Sequence, residues 1–172
     1  NLEDQVLDRA PGTRIIDSGL MQEKIRAARS AAKAAGNPDL VINGRTDALK
    51  ALHTKEEGLQ EAIRRGNLYL EAGADLVFVT AVSTLEEVRE LVKAIHGPLS
   101  VAAGLAYNLN AFSINDLTEL GVARVSLPSI AISATIKALL ESTGALKSGV
   151  FTSLIAKKCL CSPQDIGRLI GA

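Results

Sequence analysis

Residues 61–79 read EAIRRGNLYLEAGADLVFV, and this stretch decides the fold. Its first part continues an apolar helical face made by Leu59, Ala62, Ile63 and Leu70, and Gly73 stands where such a helix should stop. Leu76-Val77-Phe78-Val79 then forms a short apolar, β-rich run, the pattern of a strand buried on both faces. A helix followed so closely by a doubly buried strand is one step of a βαβ repeat.

The pattern recurs on either side. Leu40-Val41-Ile42-Asn43, Leu99-Ser100-Val101-Ala102 and Arg124-Val125-Ser126-Leu127 are further strand candidates. Helical spacing links Met21, Ile25, Ala28, Ala32 and Ala35, and again Val88, Leu91, Val92 and Ile95. Thr54 with Glu57, and Thr84 with Glu87, have capping-box spacing, and Gly36, Gly97 and Gly121 fall at expected helix ends. Strand and helix in alternation build a parallel α/β sheet through right-handed crossovers. No strand is followed by G-x-G-x-x-G or by a P-loop, so a (β/α)8 barrel is the better expectation than an open nucleotide-binding sheet.

Four strands are half of a barrel, and Asn1-Leu2-Glu3-Asp4-Gln5 reads as the end of a strand cut off in front. The expected architecture is therefore a partial TIM-type barrel covering roughly its last four strands, over residues 1–142. Residues 143–172 are expected to form a helical tail. A helix is expected from Ser129 to about Leu140, followed by two shorter helical segments. Ser162 can cap the last of these, with Pro163 at its first position. Such a tail exceeds what a barrel's closing helix requires, so it is expected to pack on a neighbour.

Composition removes several classes of function. The chain has 172 residues, 47% hydrophobic and 22% charged, as a folded globular domain does. Nineteen basic residues balance nineteen acidic ones, and aromatics are 3% with no Trp, so neither a nucleic-acid nor a membrane partner is expected. Cys159 and Cys161 make neither a disulfide framework nor a complete zinc site, and are read as reduced thiols of a cytoplasmic protein.

A parallel barrel places its chemistry at the C-terminal ends of its strands. Glu3 and Asp4 could hold a hard divalent cation there, or could simply be a solvated acidic loop. In Asn43-Gly44-Arg45-Thr46-Asp47-Ala48, Arg45 offers a planar fork to a carboxylate, and Gly44 would let the chain pass close to a ligand. The competing reading is an Arg45–Asp47 pair that fastens a loop. Thr80, Ser100 and Ser126 lie near strand ends, as hydrogen-bond donors to a substrate or as small polar residues satisfying backbone. His53 and His96 fall off the strand tips and suit no catalytic triad.

NLEDQ, VINGRTDA, EAIRRGNLYLEAGADLVFV, GPLSVAAG and LGVARVSLPS, in that order, resemble the isocitrate lyase/phosphoenolpyruvate mutase superfamily over residues 1 to about 140. The resemblance is to its small phosphoenolpyruvate mutase-like branch. It implies a (β/α)8 barrel, Mg²⁺, and a small 2-oxo or 2-hydroxy acid whose C–C or P–C bond is cleaved or formed through an enolate. By position it implies that Glu3 holds Mg²⁺ through water and that Arg45 grips the substrate's acid group. Thr80 and Ser100 stand where methylisocitrate lyases carry a Glu and an Asn. The family's principal Asp ligands match positions upstream of Asn1. Val6-Leu7-Asp8-Arg9-Ala10-Pro11-Gly12 replaces a loop that carries Cys and His in the isocitrate and methylisocitrate lyases, so the catalytic acid is left unassigned. The resulting expectation is a Mg²⁺-dependent lyase or mutase-like enzyme, a homo-oligomer in its full-length form, with this chain a fragment inactive alone. The alternative is a non-catalytic half-barrel that assembles with a partner chain through its unpaired strand edges.

Overall fold

The protein is described by a computed structural model covering residues 1–8, 10–149, 151–152, 154 and 160–171. Five parallel strands follow one another in chain order: β1 (Leu2–Glu3), β2 (Asn43–Thr46), β3 (Leu76–Val79), β4 (Leu99–Ala102) and β5 (Arg124–Ser126). Between them run α1 (Ser18–Ala34), α2 (Ala48–Ala51), α3 (Lys55–Glu71), α4 (Leu85–Ala94) and α5 (Ile114–Glu119). The α/β parallel topology is the expected one, and both capping boxes form, Thr54 with Glu57 and Thr84 with Glu87.

Because side chains alternate along a strand, the register sorts them onto two faces. Val77, Val79, Leu99 and Val101 face the helices and pack with Leu59, Ala62, Val88, Leu91, Ile95 and Leu117 in the main core. A second cluster packs Met21 and Ile25 of α1 against Ile42, Tyr69 and Ala74. The opposite face is largely polar. Glu3 is opposite Arg45, Arg45 opposite Phe78, Phe78 opposite Ser100, and Ser100 opposite Arg124, so five residues form one row across the sheet.

The strand expected at Leu40–Asn43 is displaced towards the C-terminus and starts at Asn43, with Leu40 and Val41 largely exposed. Asp75 causes the delay. Its carboxylate accepts from the Ile42 N–H at 2.6 Å and its own N–H donates to the Ile42 carbonyl at 2.8 Å, so Ile42 is satisfied outside the ladder. Arg45 therefore lies inside the strand rather than after it. Gly44 also has a different use from the one expected: a Cβ there would meet Tyr69 Cβ at 3.2 Å and Ala74 Cβ at 3.3 Å. The glycine lets α3 approach the sheet on the face away from Arg45.

Residues 1–128 form one compact unit and 129–172 a second. In the second, α6 (Ile130–Ser148) runs past Leu140 and through Gly144 to end at Gly149, whose φ of +70° is the left-handed stop glycine favours. The division expected after residue 142 falls inside this helix. Ser162 caps α7 (Pro163–Ile170) with Asp165 in a reciprocal box. Cys161 is a free, exposed thiol, whereas Cys159 and most of the other short tail segment lie outside the described residues. No described helix is long and apolar enough to cross a membrane.

Candidate active site

At the C-terminal ends of β2, β3 and β4 the first unit encloses a cavity of about 380 Å³, lined among others by Arg45, Lys50, Phe78, Thr80, Tyr107 and Ser126. Its electrostatic centre is Asp47, which is fully buried one residue past the end of β2. Arg45 donates to it side-on, Nε to Oδ2 at 2.8 Å and Nη2 to Oδ1 at 3.1 Å. Lys50 Nζ reaches Oδ1 at 3.0 Å from the first turn of α2, and the Thr80 hydroxyl donates to the same oxygen at 2.8 Å. Burial alone would raise the Asp47 pKa; the hydrogen bonds from Arg45, Lys50 and Thr80 outweigh it and hold the carboxyl below its ordinary value.

The same arginine is engaged from the other side by Glu3, whose Oε2 lies 2.7 Å from Nη1, with the Gln5 side chain 3.4 Å from Nη2. Its Cζ sits 5.9 Å from the Phe78 ring centroid. Burial opposes the charge on Arg45, yet the hydrogen bond and charge of Asp47, with Glu3 and Asp4 behind them, raise its pKa. Asp47 occupies the Nε/Nη2 edge of the guanidinium. The Nη1/Nη2 edge is the one facing Glu3 and Gln5.

The structure separates the two carboxylates of the Glu-Asp pair. Successive strand residues point to opposite faces, so Glu3 joins Arg45 while Asp4 turns into the layer between sheet and helices. There Asp4 is fully buried and accepts from Tyr69 Oη at 2.7 Å, Arg65 Nη1 at 3.2 Å and the Asp47 backbone N–H at 2.9 Å. Burial, then the charge of Asp4, pushes the Tyr69 phenol well above the ordinary tyrosine value. Glu3, Arg45 and Thr80 thus meet in one cluster. Ser100 does not: it is fully buried two strands along the same row, and its hydroxyl accepts from Arg124 Nη1 at 3.1 Å.

Mg²⁺ needs several oxygen ligands in near-octahedral array. Only Glu3 of the Glu-Asp pair faces the cavity, and its carboxylate is already held by Arg45; Asp4 and Asp47 are spent on buried donors. No group of three His, Cys, Asp or Glu that could hold a metal exists among the described residues. The donor set present does not fit a magnesium centre.

Lys50 and Tyr107 line the cavity without any role expected from the sequence. The three-residue spacing of Asp47 and Lys50 on the way into a helix was a usable signal for their pairing. Nothing local in the sequence marks Tyr107, which reaches the cavity only through the path of the loop after β4.

This polar mouth on a parallel α/β sheet matches the phosphoenolpyruvate phosphomutase family over residues 1–147, and the chain belongs to that family, within the isocitrate lyase/phosphoenolpyruvate mutase superfamily. It is 32% identical over 141 residues to 2-methylisocitrate lyase of Aeropyrum pernix, covering 80% of this chain and 42% of that protein. Phosphonopyruvate hydrolase, solved in complex with oxalate and Mg²⁺, superposes with a TM-score of 0.74 at 28% identity, over 98% of this chain and 57% of the other. For 2,3-dimethylmalate lyase the TM-score is 0.75 at 26% identity, over 98% and 56%. The chain spans about half the length of these relatives, and its sheet is part of a TIM-type barrel.

Proposed function

We propose that this chain supplies the acid-binding half of a lyase or mutase-like active site for a small 2-oxo or 2-hydroxy acid. The observation that carries the proposal is the division of labour on Arg45. Asp47 fixes the guanidinium side-on, and Glu3 and Gln5 hold its Nη1/Nη2 edge. A substrate carboxylate or phosphonate takes that edge in two parallel hydrogen bonds, displacing Glu3 and Gln5. The pre-set orientation matters because an arginine already held in place loses little freedom on binding and keeps its charge aimed at the developing enolate.

Thr80 sits beside this edge and keeps Asp47 in place, and Lys50 adds positive charge at the rim. Ser100 supports the floor through Arg124. The kinship with proteins named for methylisocitrate, dimethylmalate and phosphonopyruvate supports C–C or P–C bond cleavage through an enolate. Magnesium belongs to the proposal through that kinship alone. Glu3 would face the ion's hydration shell once released from Arg45, and the remaining ligands would come from residues outside this chain.

Turnover tests the proposal. The full-length protein supplied with Mg²⁺ and substituted malates, oxaloacetate or phosphonopyruvate should release a 2-oxo acid or phosphate, and Arg45→Lys should abolish most of that rate. Absence of turnover together with absence of oxalate binding would overturn it. A second reading is favoured by the sheet's outer strands, since β1 and β5 each have one edge unpaired among the described residues. On that reading the chain is a non-catalytic half-barrel that assembles with a partner chain. A monodisperse monomer by sedimentation, at all concentrations tried, excludes self-association as its means of assembly.

A further inference from the structure

We infer that Tyr107 is the acid that returns a proton to the enolate carbon at this site. The inference rests on the enolate reading above and adds the residue that reading leaves unnamed. The described stretch of the loop after β1 carries neither Cys nor His, and both histidines lie away from the cavity. Of the residues lining the cavity, only Lys50 and Tyr107 carry a proton that ionises in a usable range. Lys50 is tied to Asp47 at 3.0 Å, where its charge is needed. Tyr107 lines the cavity and is 47% exposed.

The loop that carries Tyr107 is fixed. Its neighbour Asn108 is buried, and the Asn108 amide donates to the Val82 and Ala102 carbonyls at 3.0 and 2.9 Å while its oxygen accepts from the Leu105 N–H at 3.0 Å. That clamp joins the loops after β3 and β4 and sets the adjacent tyrosine in place. Opposite it, Ala81 is the one non-glycine residue with positive φ among those described, at +63°. Such a conformation is rare for a non-glycine residue and clusters at functional sites. Burial raises the Tyr107 phenol's pKa, the Ala81 backbone lowers it, and the charge of Asp47 raises it further; the net effect is upward, so the proton is present at neutral pH.

The step balances without a redox partner. The electron pair of the enolate C=C bond forms the new C–H bond with the phenolic proton, the O–H bond breaks, and the 2-oxo group is restored. The phenolate left on Tyr107, which is half-exposed, recovers its proton from solvent.

Two readouts test this. In the first, the chain carrying ¹³C-labelled tyrosine is titrated with oxalate and followed by NMR; Tyr69, fully buried in the other layer, is the internal reference. The Tyr107 signal should move with saturation while Tyr69 stays still. In the second, deuterium exchange into the pyruvate methyl group in D₂O with Mg²⁺ is compared for the full-length wild-type protein and its Tyr107→Phe variant. The variant should be slower by about 10²-fold or more, with oxalate affinity within about twofold of wild type. Exchange at the wild-type rate in Tyr107→Phe, or a Tyr107 signal that ignores bound oxalate, overturns the inference and leaves the Arg45 reading standing. Oxalate binding by a full-length wild type that exchanges no pyruvate proton overturns the inference as well. Failure of oxalate to bind at all overturns both.

Discussion

Arg45 and Asp47 show how one pair can serve structure and chemistry together. The bidentate bond ties the arginine to the end of its own strand, and the same bond orients the edge held by Glu3 and Gln5. Asp47→Asn keeps the shape and loses the charge, so Arg45 and Lys50 both lose their counterion. A loss of about 2 kcal/mol is expected in chemical denaturation. The pH dependence follows from the direction of the shift. Asp47 is held below its ordinary value near 3.8, so the folded state binds fewer protons there than the unfolded state. Its stabilisation is complete above the unfolded value and fades as pH falls through the lower folded value. Wild-type melting temperature should therefore drop more steeply than that of Asp47→Asn on acidification below about pH 4. Equal slopes would contradict the account. The residues Arg45, Thr80 and Glu3 were legible as site candidates because polar groups at strand ends stand out against apolar runs. The different fate of Asp4 was not, because it depends on the Tyr69 and Arg65 partners that α3 brings from more than sixty positions away.

At the scale of elements, helix ends were read best and strand starts worst. The Thr54 and Thr84 boxes depend on residues three apart, and chain-local chemistry of that kind is carried by sequence. The start of β2 depends on Asp75, thirty-three positions from Ile42, which satisfies Ile42 outside the ladder. The same element holds a clean test of packing. Tyr69 Cβ and Ala74 Cβ are fixed to backbone and cannot swing away from a new methyl at position 44. Gly44→Ala should force α3 off the sheet at a cost of about 1–3 kcal/mol, measured by denaturant unfolding. Since Asp4 bridges α3 and the Asp47 N–H, the same variant should also weaken anion binding. Unchanged stability would show that the helix has room the geometry denies it.

For the molecule as a whole, parallel topology was implied by apolar strands alternating with amphipathic helices, while the polar inner row across β1 to β5 and the cavity were not. It forms only when loops after β2, β3 and β4 converge, and Tyr107 enters it from a stretch with no local signature. The claim on which the rest depends is that this mouth binds a small dianionic acid through the Nη1/Nη2 edge of Arg45, in place of Glu3 and Gln5. Calorimetric titration of the chain with oxalate, wild type against Arg45→Lys, tests it most directly. The lysine keeps the charge and loses the fork, so affinity should fall by about 30- to 1,000-fold, equivalent to roughly 2–4 kcal/mol, with melting temperature within a few degrees of wild type. Equal oxalate affinity in the two proteins would contradict the account.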